Sequence, residues 1–154
     1  MNPPLPDDFL ASHTLCLVRS FKKWTGRELL AGNFSAMELA GKIWEAPLVV
    51  VSHGTQMDPI LNYGNRAALA LWEMSWEEFT RTPSRLTAEA PRREERARLL
   101  EAVTRNGFVD DYSGIRISKS GRRFEIFRAT VWNLVSETGE PCGQAATFSE
   151  WKFL

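Results

Sequence analysis

Residues 122–135 read Arg-Arg-Phe-Glu-Ile-Phe-Arg-Ala-Thr-Val-Trp-Asn-Leu-Val, an extended run rich in β-branched and aromatic side chains. Successive side chains of a strand point to opposite faces of its sheet. On strict alternation Phe124, Ile126, Arg128, Thr130, Trp132 and Leu134 share one face. Glu125, Phe127, Ala129, Val131, Asn133 and Val135 share the other. Both sets are mostly apolar, so this strand does not suit a sheet with one face in water. Each face needs a cover, and that need constrains the fold more than any other feature of the chain.

Its neighbours are strands as well. Phe108 to Ser118 precedes it across a Ser120-Gly121 turn, and Gly143 to about Trp151 follows after the turn Glu137 to Pro141. Two shorter apolar runs, Leu48 to Ser52 and Ile60 to Tyr63, predict strands joined by a turn that opens at His53-Gly54. Helices fill the rest. Phe9, Leu10, His13, Leu17, Phe21 and Trp24 recur at helical spacing and predict one apolar stripe, capped by Asp7 or Asp8 and ended by Gly26. Ser35 with Glu38 predicts a capping box for a helix reaching Trp44. Asn65 caps Arg66 to about Trp72, and Ser75 caps a further short helix. After a break at Thr82-Pro83-Ser84, Pro91 opens a charged helix to about Arg105, closed by Asn106-Gly107. Residues 1–6 read as disordered.

A chain of 154 residues fits one domain with a short extension, and it is long enough to bury a core without disulfide or metal staples. Lys plus Arg and Asp plus Glu count 19 each, so no net field draws the chain to nucleic acid or to an anionic membrane. No apolar run approaches the ~20 residues of a membrane span. The acidic, Pro-rich start lacks the pattern of a signal peptide. Cys16 and Cys142 are too few for a disulfide framework. The expected compartment is cytoplasmic.

The order of elements resembles a PAS domain, in which two strands, several short helices and three long strands form a five-stranded antiparallel sheet with helices on one face. Six local motifs narrow the likeness: Asn62-Tyr-Gly-Asn-Arg-Ala-Ala-Leu-Ala-Leu-Trp72, Pro83-Ser-Arg85, Tyr112-Ser-Gly-Ile-Arg-Ile-Ser118, Gly121-Arg-Arg-Phe124, Trp132-Asn-Leu134 and Gly143-Gln-Ala-Ala-Thr-Phe148. They resemble the MEKHLA domain, a PAS-like family, over roughly residues 9–151, although the hexapeptide that names the family is absent. The resemblance implies an α+β fold. Residues 1–33 would be an N-terminal helical arm packing on the outer face of the sheet, and residues 34–154 the PAS-like domain. It also implies small-molecule binding between sheet and helices, and dimerisation. It implies no particular reaction.

Trp72, Phe79, Tyr112, Trp132 and Phe148 are candidates for the wall of such a cavity. Asn62, Asn65, Arg85, Arg116 and Gln144 are candidate polar anchors, since small-molecule sites are mostly apolar with a few placed polar groups. The same aromatics also suit a filled core, Asn65 a simple helix cap, and Arg85 a partner for a carboxylate. On the other face, Phe9, His13, Leu17, Phe21 and Trp24 with Phe127 and Val131 are candidates for a homodimer interface. A lid from the same chain is the alternative.

His13 and Cys16 lie three residues apart, but a structural zinc site wants four ligands, so no metal is expected. His53 reads as a turn residue. Residues 91–105 hold no histidine where the resemblance would place a haem ligand, and no Asn-Cys pair precedes them. Haem and covalent photosensory flavin are therefore not expected, and the cofactor is otherwise unknown. Glu89, Glu94, Glu95 and Glu101 interleave with Arg92, Arg93, Arg96, Arg98 and Arg105, which predicts helical i,i+4 ion pairs. Arg116, Lys119, Arg122, Arg123 and Arg128 crowd one hairpin without a nucleic-acid motif around them. No P-loop, Gly-rich dinucleotide turn, His-Glu-x-x-His or Gly-x-Ser-x-Gly is present.

These features predict a non-enzymatic sensory or ligand-binding module acting in signalling or regulation. The expected partners are a second copy, a small molecule and an effector protein, and neither nucleic acid nor membrane. A protein-interaction module with a filled core and a small enzyme of unrecognised type remain as alternatives.

Overall fold

The computed structural model describes residues 8–89 and 93–154. The start expected to be disordered, the Asp7 cap, Pro91 and Arg92 lie outside the described residues, as do the side chains of Asp8, Arg93 and Arg96. The chain runs α1 (Asp8–Thr25), α2 (Ala36–Glu45), β1 (Val49–His53), β2 (Leu61–Gly64), α3 (Arg66–Trp72), α4 (Trp76–Phe79), a 3-10 turn (Ser84–Thr87), α5 (Arg93–Asn106), β3 (Phe108–Ile117), β4 (Arg123–Val135), β5 (Pro141–Phe148) and β6 (Glu150–Phe153). The short helices start where side chains can cap them. Ser35 accepts from the Glu38 amide while the Glu38 carboxylate accepts from the Ser35 amide, and Ser75 and Glu78 repeat the arrangement.

The strands lie in the order β2-β1-β5-β4-β3, every neighbouring pair antiparallel. β6 resumes the line of β5 after Ser149 and pairs with the first half of β4, so the expected fifth strand is one path broken once. One face packs against α3 and α4 through Leu69, Trp72, Phe79, Phe124, Ile126 and Phe148. The other packs against α1 and α2 through Leu17, Phe21, Ile43, Trp132 and Leu134.

The second cover of β4 is thus the chain's own N-terminal helix. Phe21 meets Trp132 edge-on with ring centroids 4.9 Å apart. The Trp24 indole N–H donates to the Asn133 carbonyl at 3.0 Å, and the Ser20 hydroxyl accepts from the Val135 amide at 3.0 Å. Gly107 makes room for this docking: its φ is +93°, and a Cβ there would lie 2.3 Å from the Trp24 ring.

Strict alternation along β4 does not hold. Tyr112 pairs with Ala129 and Gly114 with Ile126, so two steps on β3 oppose three on β4, and Arg128 sits at φ +53°. This β-bulge inserts one residue and reverses the facing of all that follow. Phe124 and Ile126 therefore share a face with Ala129 and Val131, while Thr130, Trp132 and Leu134 face α1. The face assigned to Trp132 and the one assigned to Val131 are both corrected by this single extra residue.

Candidate ligand cavity

A cavity of about 60 Å³ lies between the sheet and the helices α3 to α5. Its floor is Val51, His53, Ile126, Ala129, Val131 and Phe148 from the sheet; its roof includes Trp72, Phe79, Ser84, Thr87 and Leu99. The bulge helps to open it, because it turns Ala129 and Val131 rather than Thr130 and Trp132 inward. Trp72 packs edge-on against Phe124 at 5.3 Å and Phe148 at 6.2 Å between ring centroids, which closes one end.

The polar part of the wall comes from β1, the 3-10 turn, β3 and β5. Arg116 is buried, with 7% of its surface exposed. It donates from Nη1 to the Ile115 carbonyl at 3.0 Å and from Nη2 to the Tyr112 hydroxyl at 3.2 Å, and its guanidinium lies over the Tyr112 ring. Gly114 stands between these side chains, and a Cβ there would lie 2.5 Å from the Tyr112 hydroxyl. Gln144 donates to Asn133 Oδ1 at 2.9 Å and Thr104 Oγ1 at 3.3 Å, tying β5 to β4 and α5. The His53 ring bonds through Nδ1 to the Gly54 carbonyl at 2.9 Å. The described wall includes no carboxylate and no cysteine.

Of the residues singled out from the sequence, the cavity brings together Trp72, Phe79, Tyr112, Arg116, Gln144 and Phe148. Four others lie elsewhere. Trp132 faces α1. Asn65 is fully buried as a junction: its Oδ1 accepts from the amides of Ala68 and Val50, and its Nδ2 donates to the carbonyls of Ile43 and Leu48. Asn62 accepts from the Ser52 hydroxyl at 2.5 Å. Arg85 pairs with Asp58 across the surface at 3.1 Å. The wall residues that sequence reasoning missed include His53, Ala129, Val131, Ser84, Thr87 and Leu99. Only the bulge brings Ala129 and Val131 in, and nothing in a single sequence marks it.

On the α1 face, Leu17 and Phe21 are buried within the chain, Trp24 and His13 are partly buried, and Phe9 is 54% exposed. Phe127 is partly buried on the same side of the sheet, and Val131 belongs to the cavity. His13 bonds through Nε2 to the Ser52 hydroxyl at 2.8 Å, and burial lowers its pKa from 6.5 to about 4. Ser52 already donates to Asn62, so His13 is the donor to Ser52. The trio is a structural relay between α1, β1 and β2 rather than a nucleophile with its base.

Cys16 donates to the Val135 carbonyl at 3.4 Å on the α1 side, and burial pushes its thiol up. Among the described residues no three His, Cys, Asp or Glu side chains converge on one point. The basic hairpin is divided into pairs: Lys119 with Glu78, Arg123 with Glu89 and Arg128 with Glu150, while Arg122 lies over the Phe153 ring. On α5 one expected i,i+4 pair, Arg105 with Glu101, is described. No helix among the described residues is long and apolar enough to cross a membrane.

The fold has known relatives. It superposes on the PAS domain of a protein from Colwellia psychrerythraea with a TM-score of 0.64 at 14% identity, covering 76% of this chain and 94% of that one. It superposes on the light-state dimer of the fungal blue-light photoreceptor Vivid with a TM-score of 0.62 at 16% identity, covering 97% and 99%. An RNA-binding light-oxygen-voltage receptor matches with a TM-score of 0.60 at 16% identity over 71% of this chain and 31% of that longer one. Identities this low carry the fold alone. Covalent flavin chemistry of the photosensory kind needs a wall cysteine, and this cavity does not fit it: neither cysteine lies in the described wall. No curated protein is significantly similar in sequence. Residues 11–153 match the MEKHLA domain, and the chain belongs to that family with a PAS-like fold.

Proposed function

We propose that this domain is a sensory module that binds a small molecule between sheet and helices and conveys occupancy of the cavity to a partner protein. The cavity is the observation that carries this reading. A mostly apolar wall with a few placed polar groups is the composition of a small-molecule site. A domain serving only as an interaction surface gains nothing from an unfilled centre, because cavities cost stability. Among the described residues the wall holds no carboxylate or cysteine to work beside His53, which favours binding over catalysis.

β4 offers a route for the signal. Ala129 and Val131 touch the cavity while Trp132 and Leu134 pack on the α1 side, so a ligand that shifts this strand also shifts the ground on which α1 rests. Ligands act by such biasing of pre-existing arrangements. A homodimer is part of the proposal. The similarity to a Vivid dimer spans nearly the whole chain, and Phe9 and Phe127 leave apolar surface on the α1 side.

The test is native mass spectrometry and thermal unfolding of the purified protein beside an Ala129→Leu variant, whose larger side chain fills the cavity. The expected result is a bound or acceptable small molecule in the wild type, lost in the variant. Wild type that neither carries nor accepts any small molecule, with a variant equal to it in every respect, overturns the reading.

A further inference from the structure

We infer that the ligand is a small organic carboxylate, held by Arg116 with help from Tyr112 and Trp72. This rests on reading the cavity as a ligand site, and it names the chemical class that site takes.

The described wall of the cavity holds one fixed positive charge and no carboxylate. Arg116 carries a permanent charge and is 93% removed from solvent exposure. No carboxylate among the described residues pairs with it. A guanidinium has five N–H groups, and two are used on the Ile115 carbonyl and the Tyr112 hydroxyl. Three remain in a wall that is otherwise largely apolar. Leaving a buried charge without a counter-charge is costly, and arginine retained in such a place is explained by an anion that completes it.

Two further donors belong to wall residues. The Tyr112 oxygen accepts from Arg116, so its own O–H is left to donate. The Trp72 indole N–H is buried with no acceptor among the described residues. The contact between Tyr112 and Arg116 is itself built in, because Gly114 has no Cβ to push the two apart.

Shape and size then choose among anions. A carboxylate matches the planar fork of a guanidinium and brings an apolar tail for Val51, Ile126, Val131 and Phe148. A phosphate brings up to two charges and no apolar part, and this wall holds one cation of fixed charge beside much hydrocarbon. About 60 Å³ corresponds to roughly four to six water-sized positions, the scale of a short aliphatic acid.

The probe is sodium butyrate, measured against butyramide of nearly the same shape and against inorganic phosphate, all at matched ionic strength. Thermal unfolding and the indole N–H resonance of Trp72 are followed in the full chain. Butyrate is expected to raise the unfolding temperature saturably and to move the Trp72 resonance, while butyramide and phosphate do neither. Arg116→Met is expected to weaken butyrate binding at least tenfold. Should it not fold, Arg116→Lys and Tyr112→Phe serve, each weakening butyrate several-fold. Equal responses to butyrate and butyramide, or unaltered butyrate binding in the Arg116 variants, overturn the carboxylate inference and leave the ligand site standing. A phosphate response matching that of butyrate also overturns it. Absence of any response, in a protein that carries no small molecule when purified, overturns both this inference and the sensory reading.

Discussion

The indole N–H of Trp132, on β4, donates to the main-chain carbonyl of Leu17 in the middle of α1, 3.2 Å away. The helix is therefore fastened to the sheet by a directed bond as well as by the apolar contacts of Leu17 and Phe21. Trp132→Phe keeps a ring against Phe21 and removes the donor. It should cost about 1–2 kcal/mol, one hydrogen bond plus a small packing loss. Urea unfolding checks the value, and amide exchange in α1 should speed up by a comparable factor.

His13 makes stability depend on mild acid. Its folded pKa is about 4, below the 6.5 of the unfolded chain. The unfolded state thus binds the extra proton first, and stability is lost as pH falls from about 6.5 towards 4. It is full above that window. The loss should amount to about 2–3 kcal/mol for a shift of this size. Unfolding free energies at pH 7 and pH 4.5 test it, and His13→Gln should flatten the dependence. Glu38, Glu73 and Glu78, held low by hydrogen bonds from Ser35, from Ser120 and Ser118, and from Lys119, act in a lower window and remain in that variant.

Asn65 does more than a cap. An ordinary cap lost to alanine costs ~1 kcal/mol. Asn65→Ala here also strands buried groups at Val50, Ile43 and Leu48, so about 2–4 kcal/mol is expected. Asn65→Asp keeps the oxygen acceptor and sets a carboxylate oxygen against two carbonyls, so it should be no milder than alanine. Thermal unfolding of the two variants decides this.

The bulge can be tested at Arg128, whose φ of +53° suits glycine and disfavours branched side chains. Arg128→Gly should leave stability unchanged or raise it by up to about 1 kcal/mol, and Arg128→Val should lower it by about 1–2 kcal/mol. The order Gly, Arg, Val in unfolding temperature is the expected outcome. A strand that accepts valine without loss would not carry this bulge.

Much of the chain was legible because its signals are local. The capping boxes at Ser35 and Ser75, the strand runs at Leu48 and Phe108 and the stop at Gly107 each depend on a few adjacent residues. Even the demand for two covers on β4 followed from composition along one strand. Six of the ten candidate cavity residues do meet in one place, because those on β3, β5, α3 and α4 keep the facing that their local pattern suggests.

The remaining placements were not local. The bulge at Arg128 arises from the register between β3 and β4, and one unpaired residue exchanged Trp132 for Val131 at the cavity wall. The tie from Asn65 to Ile43 and Leu48, the pairing of Arg85 with Asp58, and the choice of the chain's own helix to cover the outer face each join segments far apart in sequence. The sequence by itself determined that β4 must be buried on both sides, because its side chains are apolar in both alternations. Only the tertiary structure decided which side chain faces which cover, because strand pairing sets the register and a single inserted residue reverses it.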